Sequence, residues 1–206
     1  MIRKALLKPE AFQIAVPISK ATSFGCNQEW YPIQWQKDAG CGPTVATNIL
    51  LYMDAQSKRP FHKQECLELM ESVWKFITPT NKGVNTLELF YQGMSAYANS
   101  QGMKLCYSFC NITRQTIARS KLINVIKFLE EGLDKNVPVA FLNLDSGDEK
   151  AIEGWHWVTV IGLEYTGIGE EPVIEILDNG TFKRINLALW YKTTIIGGGF
   201  VYFTKC

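Results

Sequence analysis

The stretch Gly40-Cys41-Gly42-Pro43-Thr44 decides the fold of this chain, because it sets a cysteine at the start of a helix. The flanking glycines let another backbone or a substrate approach closely, and Pro43 suits a first helical turn, where its missing N–H costs nothing. The free N–H groups and positive dipole end of such a helix favour a thiolate and offer a donor for an oxyanion. The motif therefore indicates a nucleophile, with a buried, inert cysteine as the alternative.

Helices are predicted on the C-terminal side of this motif. The first begins at Pro43, and four apolar positions recur on one of its faces: Val45, Ile49, Tyr52 and Met53. Three more helices are predicted, over residues 62–76, 86–100 and 116–133. In the second of these, Asn85 is the expected N-cap and Glu88, three residues on, would complete a capping box.

Strands are predicted in the second half of the chain, where short apolar runs rich in β-branched and aromatic residues alternate with turn signals. About five are expected, over residues 137–142, 155–163, 173–177, 182–185 and 200–203. Helices followed by strands indicate an α+β fold, with the helices on one side of an antiparallel sheet. Residues 1–39 lack sustained periodicity and are expected to be an extended arm or loops. No linker divides the chain, so residues 1–206 are taken as one domain.

A thiolate nucleophile needs a base, and the chain has 2 histidines. His62 lies among charged residues at a predicted helix start, which is typical of a solvated surface position. His156 opens an otherwise apolar strand, on the same face as Val158 and Val160 by the period-2 alternation of strands. A lone histidine in such a strand is more often a packed structural residue, so this position alone does not establish a base.

Asp178 is the candidate for orienting the histidine ring, as bases of this kind usually require. The turn signal Thr166-Gly167-Ile168-Gly169 separates the two strands concerned, and its Gly167 is midway between His156 and Asp178. An antiparallel hairpin would bring the two side chains within a residue or two of register. Asn179 is the alternative, because an amide oxygen can also accept from the imidazole.

The motif around Cys41 and the strand at His156 together resemble the papain-like cysteine peptidases. The Cys41-Gly42-Pro43 segment is most similar to the branch of bacterial leader-peptide-processing (double-glycine) peptidases and their stand-alone relatives. The resemblance implies Cys41 as nucleophile, His156 as base and Asp178 as orienter. It also implies a papain-like fold, in which the nucleophile helix packs against the antiparallel sheet.

One position departs from the family pattern. Members usually carry a glutamine a few residues before the cysteine, often six, and its side-chain amide helps to bind the oxyanion. Six residues before Cys41 this chain has Trp35, flanked by Gln34 and Gln36. Gln36 is taken as the catalytic glutamine, with Gln34 as the near alternative. Two other polar residues upstream also remain open: Asn27 and Gln28.

The amino-acid composition limits the classes of partner and cofactor that the chain is expected to bind. The 206 residues carry a net charge of +1 and are 47% hydrophobic and 20% charged, which gives no electrostatic case for nucleic acid or an anionic membrane. No complete ligand cluster and no phosphate-binding loop is present, so neither a metal nor an organic cofactor is expected. The apolar run near the N-terminus is cut by Lys8, Pro9 and Glu10, so no secretory signal is expected. A cytoplasmic location with reduced cysteines follows.

Three further features have open interpretations. Four tryptophans near the proposed catalytic segments either line an apolar substrate groove or are packing residues: Trp30, Trp35, Trp155 and Trp157. Four acids before the His156 strand are expected in a solvated loop or at the rim of the cleft: Asp145, Asp148, Glu149 and Glu153. The run Gly197-Gly198-Gly199 is expected to be a turn before the last strand.

These observations predict a thiol hydrolase acting on a peptide or isopeptide bond, with a peptide or protein as substrate. An acyl transferase would use the same triad and the same acyl-enzyme. A catalytically idle binding module on the same fold is the third hypothesis, because a fold does not determine function.

Overall fold

The computed structural model of the chain describes residues 1–16, 21–54, 60–114, 118–167 and 170–206. The α-helices are α1 Gln34–Ala39, α2 Cys41–Met53, α3 Lys63–Trp74, α4 Leu87–Ser100, α5 Leu122–Asp134 and α6 Leu187–Thr193. The strands are β1 Ile2–Ala5, β2 Gln13–Val16, β3 Ala21–Phe24, β4 Phe61–His62, β5 Leu105–Ile112, β6 Val139–Asn143, β7 His156–Thr166, β8 Glu170–Asp178, β9 Thr181–Asn186 and β10 Gly198–Lys205.

A seven-stranded antiparallel sheet forms the larger layer. Its order is β5-β10-β6-β7-β8-β9, and β1 pairs with β7 beyond the end of β6. All five predicted strands are present, as β6 to β10, and the α+β prediction is confirmed. The strand count of about five was too low, because β1 and β5 were missed. β5 is an edge strand in which exposed and more buried residues alternate from Tyr107 to Ile112. Its exposed face carries Tyr107 and Phe109 and its inner face Ser108 and Cys110, so the usual apolar–polar pattern is absent.

Residues 1–39 are not the arm or loops that were expected. They contain β1, which joins the main sheet, and α1. They also contribute β2 and β3, which form a small three-stranded sheet with β4. Phe12 and Ile14 are fully buried in the core. Each of these strands has four residues, which is too short for a period-2 pattern to be recognised against the background.

Helix α2, which begins at the candidate nucleophile Cys41, is the central element of the helical layer. All its residues from Cys41 to Tyr52 are buried, because it packs against β7 of the large sheet and against α3. Asn48 fixes its position with two buried hydrogen bonds. Its Oδ1 accepts from the backbone N–H of Cys26 at 2.7 Å, and its Nδ2 donates to Oγ1 of Thr159 at 3.1 Å. One side chain therefore links the N-terminal region, the nucleophile helix and the strand of His156.

The predicted helix boundaries are close to those of α3 and α4, with two differences. The N-cap of α4 is Thr86 rather than Asn85, because Thr86 has the extended backbone of a cap and its Oγ1 accepts from Leu89 N–H at 3.1 Å. The helix expected over 116–133 begins at Leu122. Positions 116 and 117 of that prediction lie outside the described residues.

Cys106 and Cys206 are joined by a disulfide, so the expectation of fully reduced cysteines is wrong for this pair. The antiparallel pairing of β5 and β10 brings the first residues of one strand beside the last of the other, with the two Cα atoms 5.4 Å apart. Sequence spacing does not reveal this pairing, because 100 residues separate the two cysteines. Among the described residues, no helix has both the length and the apolar character needed to cross a membrane.

Candidate active site

Two glycines shape the chain around the candidate nucleophile. Gly40 joins α1 to α2 in a tight bend, and a Cβ there would collide with the carbonyl of Gln36 and the ring of Tyr31. At Gly42 a Cβ would press against Val84, 2.9 Å from its nearest methyl carbon. Cys41 is the first residue of α2 and is buried, with 9% of its surface exposed. The glycines thus allow two other segments to close around the helix start, as their small size requires.

His156 lies between Cys41 and Asp178. Its Nε2 is 2.7 Å from Oδ1 of Asp178, and the Cys41 side chain is close enough to the ring to affect its pKa. Burial lowers the pKa of His156, but the interactions with Asp178 and Cys41 outweigh it and raise that pKa to about 10. The imidazole is therefore protonated at neutral pH and is poised as a proton donor beside the sulfur.

The hairpin of β8 and β9 positions Asp178 through a two-residue turn. Asn179 and Gly180 have φ values of 45° and 78°, which is the left-handed pair that such turns require. Asn179 is directed away from the histidine: its carbonyl accepts from Asn27 Nδ2 at 3.0 Å and its Oδ1 from Gln28 N–H at 3.4 Å. Of the two candidate orienting residues, the structure therefore places Asp178 on the ring.

Lys183 is a further contact of the site that the sequence did not reveal. Its Nζ is 2.6 Å from Oδ2 of Asp178, so the carboxylate is shared between an imidazole and an ammonium group. The lysine side chain is 40% exposed, whereas that of Asp178 is 5% exposed. Burial raises the pKa of Asp178, but the bonds from His156 and Lys183 lower it below its ordinary value, so the carboxylate stays ionised.

The four amide side chains considered for the oxyanion have different surroundings. Gln34 donates to Asp38 on the exposed face of α1, Gln28 donates to the Lys37 carbonyl at 2.8 Å, and Asn27 donates to Asn179. The Oε1 of Gln36 is buried and accepts no hydrogen bond from the described residues. Gln36 therefore differs from the others in that its side-chain amide donates to none of the described residues, and it remains the predicted donor.

A cleft of about 180 Å³ opens at Cys41. Trp35 and Trp155 stand in its wall with 47% and 56% of their surfaces exposed. Trp155 has φ +56°, a left-handed conformation that is unusual for an aromatic residue and that marks a strained position next to His156. The position and exposure of these two tryptophans agree with the prediction that they line a substrate groove.

The other two tryptophans are packing residues. Trp157 lines the floor of the cleft but is 2% exposed, stacks on Phe90 at 4.2 Å and donates to the Val84 carbonyl at 2.5 Å. It thereby ties the segment 81–85, which forms one bank of the cleft, to the strand of the histidine. Trp30 packs against a separate buried cluster.

Two acids in the loop before His156 accept hydrogen bonds from backbone N–H groups, which the composition of the loop did not indicate. Asp145 accepts from the backbone N–H groups of Ile195 and Gly147, and these bonds lower its pKa. Glu149 is 8% exposed and accepts from the N–H of Asn186 at 2.8 Å. The interpretation as a solvated loop is therefore wrong for these two acids. Within the described ranges, no group of three or more His, Cys, Asp or Glu side chains could hold a metal ion.

The structure was compared with known proteins. No protein-family model and no curated protein matches the sequence. Among solved structures, UfSP from C. elegans matches 99% of this chain with a TM-score of 0.55 and 9% identity, and the chain spans 34% of its length. The Pseudomonas avirulence protein AvrPphB matches 81% of this chain and 92% of its own, with a TM-score of 0.39 and 9% identity. The fold is papain-like. At such low identity the likeness to UfSP shows the fold alone, and the weaker match adds no argument.

Proposed function

We propose that residues 1–206 form one cysteine hydrolase domain that cleaves a peptide or isopeptide bond through a thioester acyl-enzyme. One observation carries the proposal: the ring of His156 is hydrogen-bonded to Asp178 and lies beside Cys41 in a buried site that opens onto a cleft. Nucleophile, base and orienting group are thus within reach of one another, which is the arrangement that nucleophilic catalysis needs.

In the first step the Cys41 thiolate attacks the carbonyl carbon of the substrate. The oxyanion accepts hydrogen bonds from the Cys41 backbone N–H at the helix start and from the side-chain amide of Gln36. The protonated His156 then donates its proton to the departing amine, the C–N bond breaks and a thioester remains. Asp178 keeps the ring oriented and stabilises its positive charge throughout.

In the second step water releases the acyl group. His156, now neutral, takes a proton from the water as its oxygen attacks the thioester carbon. The C–S bond breaks, the carboxylic acid leaves, and Cys41 returns as a thiolate paired with the imidazolium. The balance of the two steps is hydrolysis of one amide bond, with no metal or organic cofactor in either step.

The proposed substrate is a peptide or protein segment in extended form, since the cleft is small and is lined by both apolar and polar side chains. The Cys41-Gly42-Pro43 segment supports the finer proposal that the chain belongs near the leader-peptide-processing branch and its stand-alone relatives. The expected cytoplasmic location stays a prediction. The disulfide of Cys106 and Cys206 bears on it, because such bonds persist mainly in oxidising compartments.

A proteome-derived peptide library tests the proposal without knowledge of the substrate. The full chain is incubated with the library, and new amino termini are read by mass spectrometry, with Cys41→Ala as the control. We expect cleavages that the control lacks. Adding a primary amine then distinguishes the acyl transferase, because conjugates would replace acids in the product. Identical products from the two proteins would sink the hydrolase proposal and favour the idle binding module.

A further inference from the structure

A second depression of about 380 Å³ adjoins the cleft of Cys41. The two depressions share three lining residues, Asn85, Leu142 and Leu144, so they form one continuous groove. The second depression lies between the start of α4 and the edge strand β5. Its lining includes the aromatic side chains of Tyr91 and Phe109.

Sheet pairing gives the direction and length of this groove. Trp157 on β7 is paired with Leu142 on β6, Leu142 with Gly199 on β10, and Gly199 with Asn111 on β5. This row crosses the sheet next to the row of His156. Neighbouring strands are about 4.8 Å apart, so Leu142 and Asn111 are separated by about 10 Å. An extended peptide advances about 3.3 Å per residue and would cover that distance in about three residues.

Two glycines at the start of β10 lie between these two points. A Cβ on Gly198 would collide with the carbonyl of Leu142, and one on Gly199 would collide with the carbonyl of Cys110 and the side chain of Leu87. Both positions therefore exclude side chains, which lets Leu87 of α4 pack directly over Gly199. The run that the sequence indicated as a turn is thus partly in β10, and the second depression (the trough) has Leu87 and Gly198 in its lining.

The far wall of the trough is apolar and open to solvent. Phe109 is 52% exposed, and its ring lies 5.6 Å from that of Tyr91, which it stacks upon. Tyr91 also stacks at 4.2 Å on Tyr107, which lies outside the lining of the depression. Glu88 is the one charged residue in the lining of this depression. Such a surface favours a bulky apolar side chain over a charged or small one.

We propose that this trough is a specificity subsite, which takes an aromatic or large aliphatic side chain of the substrate about three to four residues from the bond that is cleaved. The inference rests on the proposed hydrolase function, because Cys41 defines the start of the groove. The walls are Phe109 and Tyr91 on one side and Leu142 with Leu144 on the other. Leu87 and Gly198 line the trough between these walls.

Library cleavage followed by single peptides tests the subsite. In the products of the wild-type chain we expect enrichment of Phe, Tyr, Leu, Ile or Met three or four residues from the cleaved bond. Matched synthetic peptides with Phe or Ala at that position should then differ about tenfold in kcat/KM. Phe109→Ala removes the wall and Asn111→Trp fills the trough, so each should reduce the ratio to near one. Tyr107→Ala, on the same stack but outside the lining, should retain it.

The outcomes separate the two proposals. Cleavage without enrichment at those positions, or a ratio that survives both Phe109→Ala and Asn111→Trp, overturns the subsite and leaves the hydrolase intact. The same loss of ratio in Tyr107→Ala would also overturn it, since stability of the stack would then explain the effect. No cleavage above the Cys41→Ala control would overturn the hydrolase, and the subsite with it.

Discussion

The two sides of the cleft are built in different ways: the sheet bank carries His156 and Asp178, and the helix bank carries Trp35 and Val84. On the sheet bank, His156 and Asp178 are 8% and 6% exposed, and hydrogen bonds at 2.7 and 2.6 Å hold the Asp178 carboxylate. On the helix bank, Trp35 is 47% exposed, and Val84 is held by a hydrogen bond from Trp157 to its carbonyl, in space that Gly42 leaves open. In the proposed hydrolase, the chemistry that needs fixed geometry would thus lie on paired strands, whereas exposed side chains would contact the substrate.

Removing the reacting groups should produce the largest effect. Cys41→Ala should abolish turnover, and His156→Ala should lower kcat/KM by about 10²–10⁴-fold through loss of proton transfer. The double variant should be no worse than Cys41→Ala, because the two residues serve one step. Library cleavage rates measure all three. Additive losses would contradict a shared step.

The pH profile of the wild type follows from the same pair. The pKa of His156 is raised to about 10, so the imidazolium is fully present at neutral pH and is lost as pH rises through that value. The basic limb of kcat/KM should therefore lie well above the ordinary histidine range. The folded-state stabilisation of the charged ring is lost over the same rise, from above the ordinary histidine value up to about pH 10.

Removing the hydrogen bonds of Asn48, which link α2 to Cys26 and to β7, should lower the free energy of unfolding. Asn48→Ala leaves the buried N–H of Cys26 without its acceptor, which costs about 1–3 kcal/mol of unfolding free energy. Thr47→Val is the matched control, since its buried hydroxyl bonds only within α2, to the Pro43 carbonyl. Urea unfolding compares the two. Equal losses would show that Asn48 has no special role between helix and sheet.

Trp155 should separate stability from activity on the sheet bank. Glycine accepts its φ of +56° without strain, so Trp155→Gly should recover about 1 kcal/mol from the backbone, while the removed indole lowers kcat/KM. The exposed ring contributes little to packing, so the backbone gain should dominate. Trp35→Gly is the control, because it removes an indole from the opposite wall, where the backbone is helical. Destabilisation by Trp155→Gly as large as that by Trp35→Gly would argue against strain.

Lys183 should have the smallest effect, seen mainly in the pH profile. An ion pair with an exposed partner contributes at most about 1 kcal/mol, so Lys183→Met should lower kcat/KM a few-fold at most. Without the ammonium, Asp178 stabilises the imidazolium more strongly, so the basic limb should move to higher pH. Lys183→Arg should restore the wild-type profile. Arg184→Met is the control, because Arg184 pairs with Glu164 and Glu175, remote from the histidine. If the basic limb of kcat/KM in Lys183→Met lies at the same pH as in the wild type, Lys183 has no effect on the His156–Asp178 pair.

How far sequence could predict this site depends on the kind of signal. The glycines and the proline around Cys41 predict a helix start by themselves, without knowledge of the rest of the fold. The turn between β7 and β8 predicts that Asp178 lies near His156, because the two strands pair in antiparallel register. Lys183 and Asn48 were missed because an exposed lysine in a strand and an asparagine in a helix are ordinary. Their roles appear only when elements distant in sequence meet. Short elements such as β1 were missed because four residues cannot establish a period.

The long strand β7 has partners along both edges. β8 pairs with one edge, whereas β6 and then β1 occupy the other, and the N–H of Leu6 bridges the gap by donating to the Ile161 carbonyl at 3.0 Å. Between Thr159 and Tyr165 the strand therefore has neighbours along both edges, with irregular pairing to β8 at Ile161 and Tyr165. We expect the amide hydrogens of this segment to exchange with solvent only when the whole molecule unfolds. The amide hydrogens of β7 would then exchange more slowly than those of any other strand. The pairing of β1 and Leu6 with β7 would be one cause of that protection.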